Sequence, residues 1–160
     1  MSDNKILLIF TSKGTEMFSK ACEYGIKAAI VVAQESLNGQ RTSLKDITRE
    51  INSPEAFTAK ILQLLVRSRI IYSVKGPHGG FEIPKNQIDE VKLSEIVDAI
   101  DGDAIYKGCG LGLSECSASQ PCPVHDKFVK VRDELKLMLE NTSLYELAVG
   151  LEVGLTFLNR

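Results

Sequence analysis

The chain has 160 residues, of which 44% are hydrophobic and 25% are charged, and its formal net charge at pH 7 is −2. These numbers predict a globular protein of one domain, or of one domain with a compact extension, with enough apolar residues for a core. The longest apolar runs, at residues 6–10 and 28–33, are far shorter than the ~18–20 residues that cross a membrane, so we expect no membrane association.

Residues 1–16 are interpreted as an N-terminal arm. Its apolar run follows a single lysine and precedes no small-residue cleavage site, so we reject a secretory signal. The arm is an extra strand, a partner-binding segment, or a leader from an upstream start codon, since Met17 opens a better helix. Without a secretion signal we expect a cytoplasmic location, where the four cysteines do not form disulfides.

The next segment has the pattern of three helices. The first carries a helical stripe of apolar and small residues: Phe18, Cys22, Ile26, Ala29, Val32 and Ala33. A short second helix buries Leu44, Ile47 and Ile51. The third begins at Ser53 and Pro54, because serine caps helices and proline suits the first helical position. It is predicted to bury Phe57, Ile61, Leu64 and Leu65.

A β-hairpin is predicted directly after the third helix. Two β-prone runs, at residues 70–74 and 81–83, flank the glycine-rich stretch GPHGG. Three helices followed by a hairpin within about seventy residues is the order of a winged helix-turn-helix. We therefore predict a mainly α fold with a small β-hairpin wing, in which residues 17–90 form the DNA-binding domain.

Charge within this segment supports double-stranded DNA as a partner. The segment from Arg41 to Lys85 contains eight Lys and Arg residues and four acidic residues. Its net charge is therefore +4, and that of the rest of the chain is −6. A basic patch confined to such a domain indicates binding to phosphates, whereas a merely solvated surface needs no local excess. The candidate contacts lie on the outward face of the third helix and in the wing: Ser53, Glu55, Ala56, Thr58, Lys60, Gln63, Lys75, Gly76 and His78.

Residues 109–122, the thiol loop, hold three cysteines among glycines and serines. With the histidine that follows, the spacing is Cys109-x6-Cys116-x5-Cys122-x2-His125. Four such ligands in a cytoplasmic chain indicate a metal or an iron–sulfur cluster, and spacing alone favours zinc and a cluster equally. A redox thiol switch is a third alternative. Cys22 instead fits a buried position on the first helix.

A long helix after the thiol loop completes a predicted segment of cluster-binding loop and dimerisation helices, residues 91–160. Apolar side chains alternate at spacings of four and three, as in a coiled-coil seam between two subunits: Val124, Phe128, Val131, Leu135 and Met138. The alternative is a helix packed on its own domain. We find no paired catalytic carboxylates near a histidine, no phosphate-binding loop and no nucleophile motif, so we expect no enzyme.

Residues 17 to about 150 resemble the Rrf-two family of bacterial winged-helix transcriptional regulators, in particular its IscR-like and NsrR-like members. The stretch VKGPHGGF and the three-cysteine loop carry the resemblance most specifically. It implies a homodimeric repressor or dual regulator that senses iron–sulfur status, oxidants or nitric oxide. It also implies that Cys109, Cys116, Cys122 and His125 bind a [2Fe–2S] cluster, with Glu23 as an alternative fourth ligand. A [4Fe–4S] cluster and zinc stay open as alternative centres.

Overall fold

The computed structural model describes residues 17–159, so the N-terminal arm predicted at residues 1–16 lies outside the described residues. The elements, in chain order, are α1 (Lys20–Leu37), α2 (Leu44–Ile51), α3 (Glu55–Arg67), β1 (Tyr72–Val74), β2 (Gly80–Glu82), α4 (Lys85–Ile88), α5 (Leu93–Asp101), α6 (Ala104–Lys107), α7 (His125–Asn141) and α8 (Leu144–Glu152). The predicted fold class, mainly α with a β-hairpin wing, is confirmed. The short helices α4 and α6 were not predicted.

Helix α1 is the centre of the fold, because α2, α3, α5 and α8 all pack against it. The Ser19 hydroxyl caps its first turn by accepting a hydrogen bond from the Cys22 amide, and residues 28–33 are all buried. Gly25 lets α5 approach closely, since a Cβ there would stand 2.2 Å from Ile100 Cδ1. The first helical stripe of the sequence therefore marks the core of the molecule.

The wing is a two-stranded antiparallel sheet in which Tyr72 pairs with Glu82, Ser73 with Phe81 and Val74 with Gly80. Thr42, in the loop between α1 and α2, extends it by a bridge to Phe81, with backbone hydrogen bonds of 2.9 and 3.2 Å. This bridge passes very close to Gly80, where an added Cβ would stand 2.8 Å from the Thr42 carbonyl oxygen. Gly80 also has φ +142°, a conformation that side chains rarely allow.

Replacing Gly80 with alanine should destabilise the protein by about 1–3 kcal/mol, because the new side chain adds backbone strain and displaces the Thr42 segment. Urea unfolding would measure the loss. Gly39→Ala is the matched control, since Gly39 also has a positive φ, +75°, but has open space around its Cβ position. Equal losses in the two variants would contradict a role for the close contact with Thr42.

Helix α3 differs from its prediction in which face it buries. The buried positions are Thr58, Ile61, Leu62 and Leu65, whereas Phe57 and Leu64 are 38% and 37% exposed. Pro54 occupies the cap position without a side-chain bond, so Ser53 is not the cap. The face is turned because the Thr58 hydroxyl donates to the Pro54 carbonyl at 2.9 Å and pairs with the Ser53 hydroxyl at 2.6 Å. These two hydrogen bonds satisfy the Thr58 hydroxyl in the protein interior.

The second half of the chain joins the same hydrophobic core. Buried residues from α5, α7 and α8, among them Ile96, Leu139 and Ala148, belong to one cluster with those of α1 to α3. A backbone bridge between Lys92 and Ser143 ties the start of α5 to the start of α8. No helix between residues 17 and 159 is long and apolar enough to span a bilayer.

Candidate nucleic-acid interface and metal centre

The outward face of α3 presents most of the side chains that were predicted to meet DNA. Glu55, Ala56, Lys60 and Gln63 are exposed, and Ser53 is half-buried. Thr58 is an exception, because it is fully buried by the hydrogen bonds that close the start of α3. The prediction that Thr58 reaches a base edge is therefore wrong. The remaining positions combine short groups near the helix N-terminus with a cation one turn later, a pattern suited to a major groove.

The wing, which follows α3 in the chain, presents a second set of predicted DNA contacts. Lys75, Gly76 and His78 are all exposed at its tip. Gly76 has φ +108°, and the tip turn is closed by a hydrogen bond from the Gly79 amide to the Gly76 carbonyl at 2.9 Å. The geometry leaves the Lys75 ammonium free to approach a phosphate or a groove.

Two cations of the basic segment form ion pairs inside the domain. Arg41 Nε contacts Glu82 Oε2 at 2.6 Å, and Arg49 Nη2 contacts Asp46 Oδ1 at 2.6 Å. The Ser43 hydroxyl, together with Arg49, holds the pKa of Asp46 below its ordinary value. Since each pair removes one cation and one acid, the excess of four positive charges is unchanged. The excess is carried by cations such as Lys60 and Lys75.

The thiol loop lies between α6 and α7 and brings the predicted ligands together in pairs. Cys116 Sγ lies 3.3 Å from Nδ1 of His125, the first residue of α7. The Cys122 thiol is near enough to Cys109 to be one of the groups that lower the pKa of the Cys109 thiol. All three thiols are free and half-buried. Within the described range 17–159, no three Cys, His, Asp or Glu side chains converge closely enough to hold one metal ion.

The donor set of the thiol loop fits an iron–sulfur group or zinc. Backbone N–H groups of Leu111 and Leu113 donate to the Cys109 sulfur and lower the pKa of this thiol, and the Cys122 thiol adds to the effect. Amide donors of this kind also stabilise cluster sulfurs. An open cavity of about 460 Å³ lies beside Cys116 and His125, so there is space next to these two predicted ligands.

Arg132 of α7 holds the thiol loop and was missed by the sequence interpretation. Its Nη2 donates to Cys116 Sγ at 3.1 Å, and its Nη1 donates to the Gly108 carbonyl. Arg132 follows His125 by seven residues, which is two helical turns and places both on one face of α7. That spacing is the signal that could have identified it. The loop and the helix are thus joined by direct contacts.

Two other predicted positions lie away from the loop pairs. Cys22 is fully buried, and burial, followed by the nearby Asp101 carboxylate, raises the pKa of its thiol to about 12, so it stays a protonated core residue as expected. Glu23, the alternative fourth ligand, is engaged on its own helix by Lys20 Nζ at 2.8 Å.

The predicted dimer seam on α7 is divided. Val124 is the cap residue that precedes the helix. Leu135 packs against the core of its own chain, and the Phe128 ring lies against Gly110, where an added Cβ would stand only 2.5 Å from the ring. Val131 and Met138 are 62% and 46% exposed. The seam therefore has an inner half used by its own chain and an outer apolar half.

Comparison with known proteins decides the family. The model of the Rrf2 family, described as an iron-dependent transcriptional regulator, matches residues 18–150. The chain belongs to the Rrf2, or Rrf-two, family. A candidate helix-turn-helix regulator of Aquifex aeolicus (strain VF5) is 32% identical to this Rrf2 protein over 135 residues, covering 82% of this chain and 90% of the other. IscR of Pectobacterium atrosepticum is 27% identical over 143 residues, covering 89% and 80%.

Solved structures show the same fold. CymR, the global cysteine regulator of B. subtilis, matches this Rrf2 protein with a TM-score of 0.68 at 22% identity, covering 82% of this chain and 95% of that one. IscR of T. potens matches with a TM-score of 0.66 at 18% identity, covering 86% and 90%. The predicted class is confirmed: the protein is a DNA-binding transcriptional regulator of the Rrf2 family, and not an enzyme.

Proposed function

We propose that this Rrf2 protein is a homodimeric repressor or dual regulator that controls its operator through an iron–sulfur cluster. The cluster, of the [2Fe–2S] type, would be held by Cys109, Cys116, Cys122 and His125. The observation that carries the proposal is the contact of Cys116 Sγ with His125 Nδ1 at 3.3 Å, in the loop that also holds the half-buried thiols of Cys109 and Cys122. The cluster would supply a centre that oxidants or nitric oxide can alter.

The surroundings of the ligands favour a cluster that can be lost. A neutral imidazole in place of a fourth thiolate lowers the negative charge on such a centre and weakens its retention. The thiol loop consists largely of exposed residues, among them Gly112 and Ser119, and has no hydrophobic core of its own. A loop with these properties suits a sensor better than an electron carrier.

Contacts between the thiol loop and α7 offer a route from the centre to DNA. Arg132 bonds to Cys116 and Gly108, and Phe128 packs on Gly110, so any rearrangement of the loop acts on α7 directly. If α7 joins two subunits, its displacement changes the spacing of the two DNA-binding heads. The change in the free energy of operator binding can then be no larger than the difference in the free energy of cluster binding between the two arrangements of the DNA-binding heads.

A second candidate is a winged-helix regulator without a cluster, either stabilised by zinc or acting through its thiols. Among residues 17–159 no three ligands converge on one point, which is compatible with the form that acts through its thiols but gives no support to the zinc form. The structural similarity to CymR, a cysteine regulator, is compatible with it. In the zinc form the metal would be required for folding.

Anaerobic purification separates the two candidates. Visible absorption combined with iron, zinc and acid-labile sulfide assays on the full-length protein should show a coloured protein that holds iron and sulfide. Zinc without sulfide, or protein without any metal after strictly anaerobic handling, would support the second candidate and overturn the cluster.

The exposed half of the α7 seam predicts a loss of dimerisation when a charge is placed on it. Val131→Glu should raise the dimer dissociation constant by about ten- to hundredfold, because the new carboxylate would be desolvated in the subunit interface. Sedimentation equilibrium measures it, with Lys127→Glu, on the same helix but outside the seam, as the control. A monomeric wild type, or a Val131→Glu dimer of unchanged affinity, would contradict the seam.

A further inference from the structure

The wing is held against the body of the domain by two kinds of contact from the loop between α1 and α2. Thr42 exchanges backbone hydrogen bonds with Phe81, at 2.9 and 3.2 Å. The preceding residue, Arg41, reaches along the wing, where its Nε donates to Glu82 Oε2 at 2.6 Å and its Nη1 donates to the His78 carbonyl at 3.2 Å. One guanidinium therefore links the second strand of the wing to its tip.

The wing tip needs such support. Each strand has only three residues, and a hairpin of two strands is marginally stable by itself. At the tip, Gly76 has open space around its Cβ position, and His78 is exposed. The bond from Arg41 to the His78 carbonyl thus ties an otherwise sparsely packed tip to the domain.

We propose that Arg41 is a positioning residue that fixes the wing tip for DNA binding and does not itself contact DNA. A planar guanidinium with donors in a fixed fork can hold a carboxylate and a carbonyl at once. Its charge is matched by Glu82, so the pair adds little net positive potential to the surface. Arg41 acts by setting where Lys75 and His78 stand.

We call the hydrogen bonds of Arg41 to Glu82 and to the His78 carbonyl the clamp. The sign of the change in DNA affinity when Glu82 is replaced distinguishes this clamp from a direct contact of Arg41 with DNA. If only the field of the domain mattered, removing the Glu82 carboxylate would strengthen DNA binding, because one negative charge near the phosphates disappears. The same would hold if Glu82 merely restrained an Arg41 that binds phosphate. In the clamp, removing Glu82 frees the wing and weakens binding.

The experiment uses the full-length protein and a mixed-sequence DNA duplex of about 30 base pairs, which reports backbone and wing contacts without a known operator. Fluorescence anisotropy would measure Kd for wild type, Arg41→Gln, Glu82→Gln and the double variant. The control is Glu50→Gln, which removes an exposed acid of the same domain that the structure does not place in the clamp.

We expect Arg41→Gln and Glu82→Gln each to raise Kd by about three- to tenfold, with the double variant no worse than either, because both remove one clamp. Glu50→Gln should bind slightly tighter or unchanged. Tighter or unchanged binding by Glu82→Gln would overturn the proposal, and so would unchanged binding by Arg41→Gln.

One further variant, Arg41→Lys, distinguishes a clamp from a phosphate contact. Arg41→Lys keeps the positive charge but replaces the fork with a single ammonium, so it should bind DNA like Arg41→Gln if Arg41 is a clamp. Retention of wild-type affinity by Arg41→Lys would indicate a phosphate contact and refute the clamp.

Hydrogen exchange guards against a general loss of folding. Exchange at the wing amides should accelerate in Arg41→Gln and Glu82→Gln, whereas exchange in α1 should be unchanged. These readouts do not depend on a cluster.

Discussion

Replacing Cys116 with alanine should abolish the iron and sulfide of anaerobically purified protein. Cys116 is at the centre of the loop contacts, since its sulfur lies 3.3 Å from His125 Nδ1 and accepts a hydrogen bond from Arg132 at 3.1 Å. In the proposed centre, the substitution would remove one thiolate and leave three ligands, one of them neutral, which is too few to hold a cluster of this type. Visible absorption and iron and sulfide assays would record the loss.

Cys22→Ala is the matched control for Cys116→Ala. The Cys22 thiol is buried in α1, and its raised pKa, about 12, keeps it protonated and unsuited to metal binding. This variant should keep its iron and sulfide and lose only some stability through the small cavity it creates. Equal metal contents in Cys116→Ala and wild type would refute the ligand assignment. Zinc in the wild type and a Cys116→Ala variant that does not fold would make the loop a structural site.

Combined replacement of Lys60 and Lys75 by alanine should weaken DNA binding by about ten- to hundredfold at physiological salt. Both ammonium groups are exposed, one on the outward face of α3 and one at the wing tip. Each phosphate contact that is lost should also reduce the slope of log K against log salt concentration by about 0.9. Titrations of a DNA duplex at several salt concentrations give both quantities.

The control for the lysine variants is Lys130→Ala, which replaces an exposed cation on α7, away in sequence from α3 and the wing. It changes the net charge in the same direction without touching the proposed surface, so its affinity and salt slope should stay near those of wild type. An unchanged slope in the variant lacking Lys60 and Lys75 would exclude these two residues from the interface. A large effect of Lys130→Ala would indicate that DNA lies elsewhere.

Local patterns in the sequence determined the order of the elements. The apolar stripe of α1, the helical pattern of α3 and the glycine-rich stretch of the wing each depend on neighbouring residues, and the structure has all three elements. The same is true of the grouping of Cys109, Cys116 and Cys122 in one loop. These features could be predicted because helical periodicity, turn chemistry and ligand spacing are properties of short segments.

The tertiary structure decided which faces of α3 and α7 pack inward. Thr58 turned inward because the Pro54 carbonyl and the Ser53 hydroxyl satisfy it there, which periodicity does not reveal. The seam of α7 was divided because Phe128 and Leu135 found partners in their own chain.

Pairings across the chain have the same origin. Arg41 and Glu82 are 41 positions apart, and Cys116 and Arg132 are 16 apart. By itself the sequence determined the main helices, the wing, the basic segment and the grouping of three cysteines and a histidine in and beside one loop. The tertiary structure decided which side chains are buried and which groups pair, because burial and pairing depend on the surfaces that folding brings together and not on spacing along the chain.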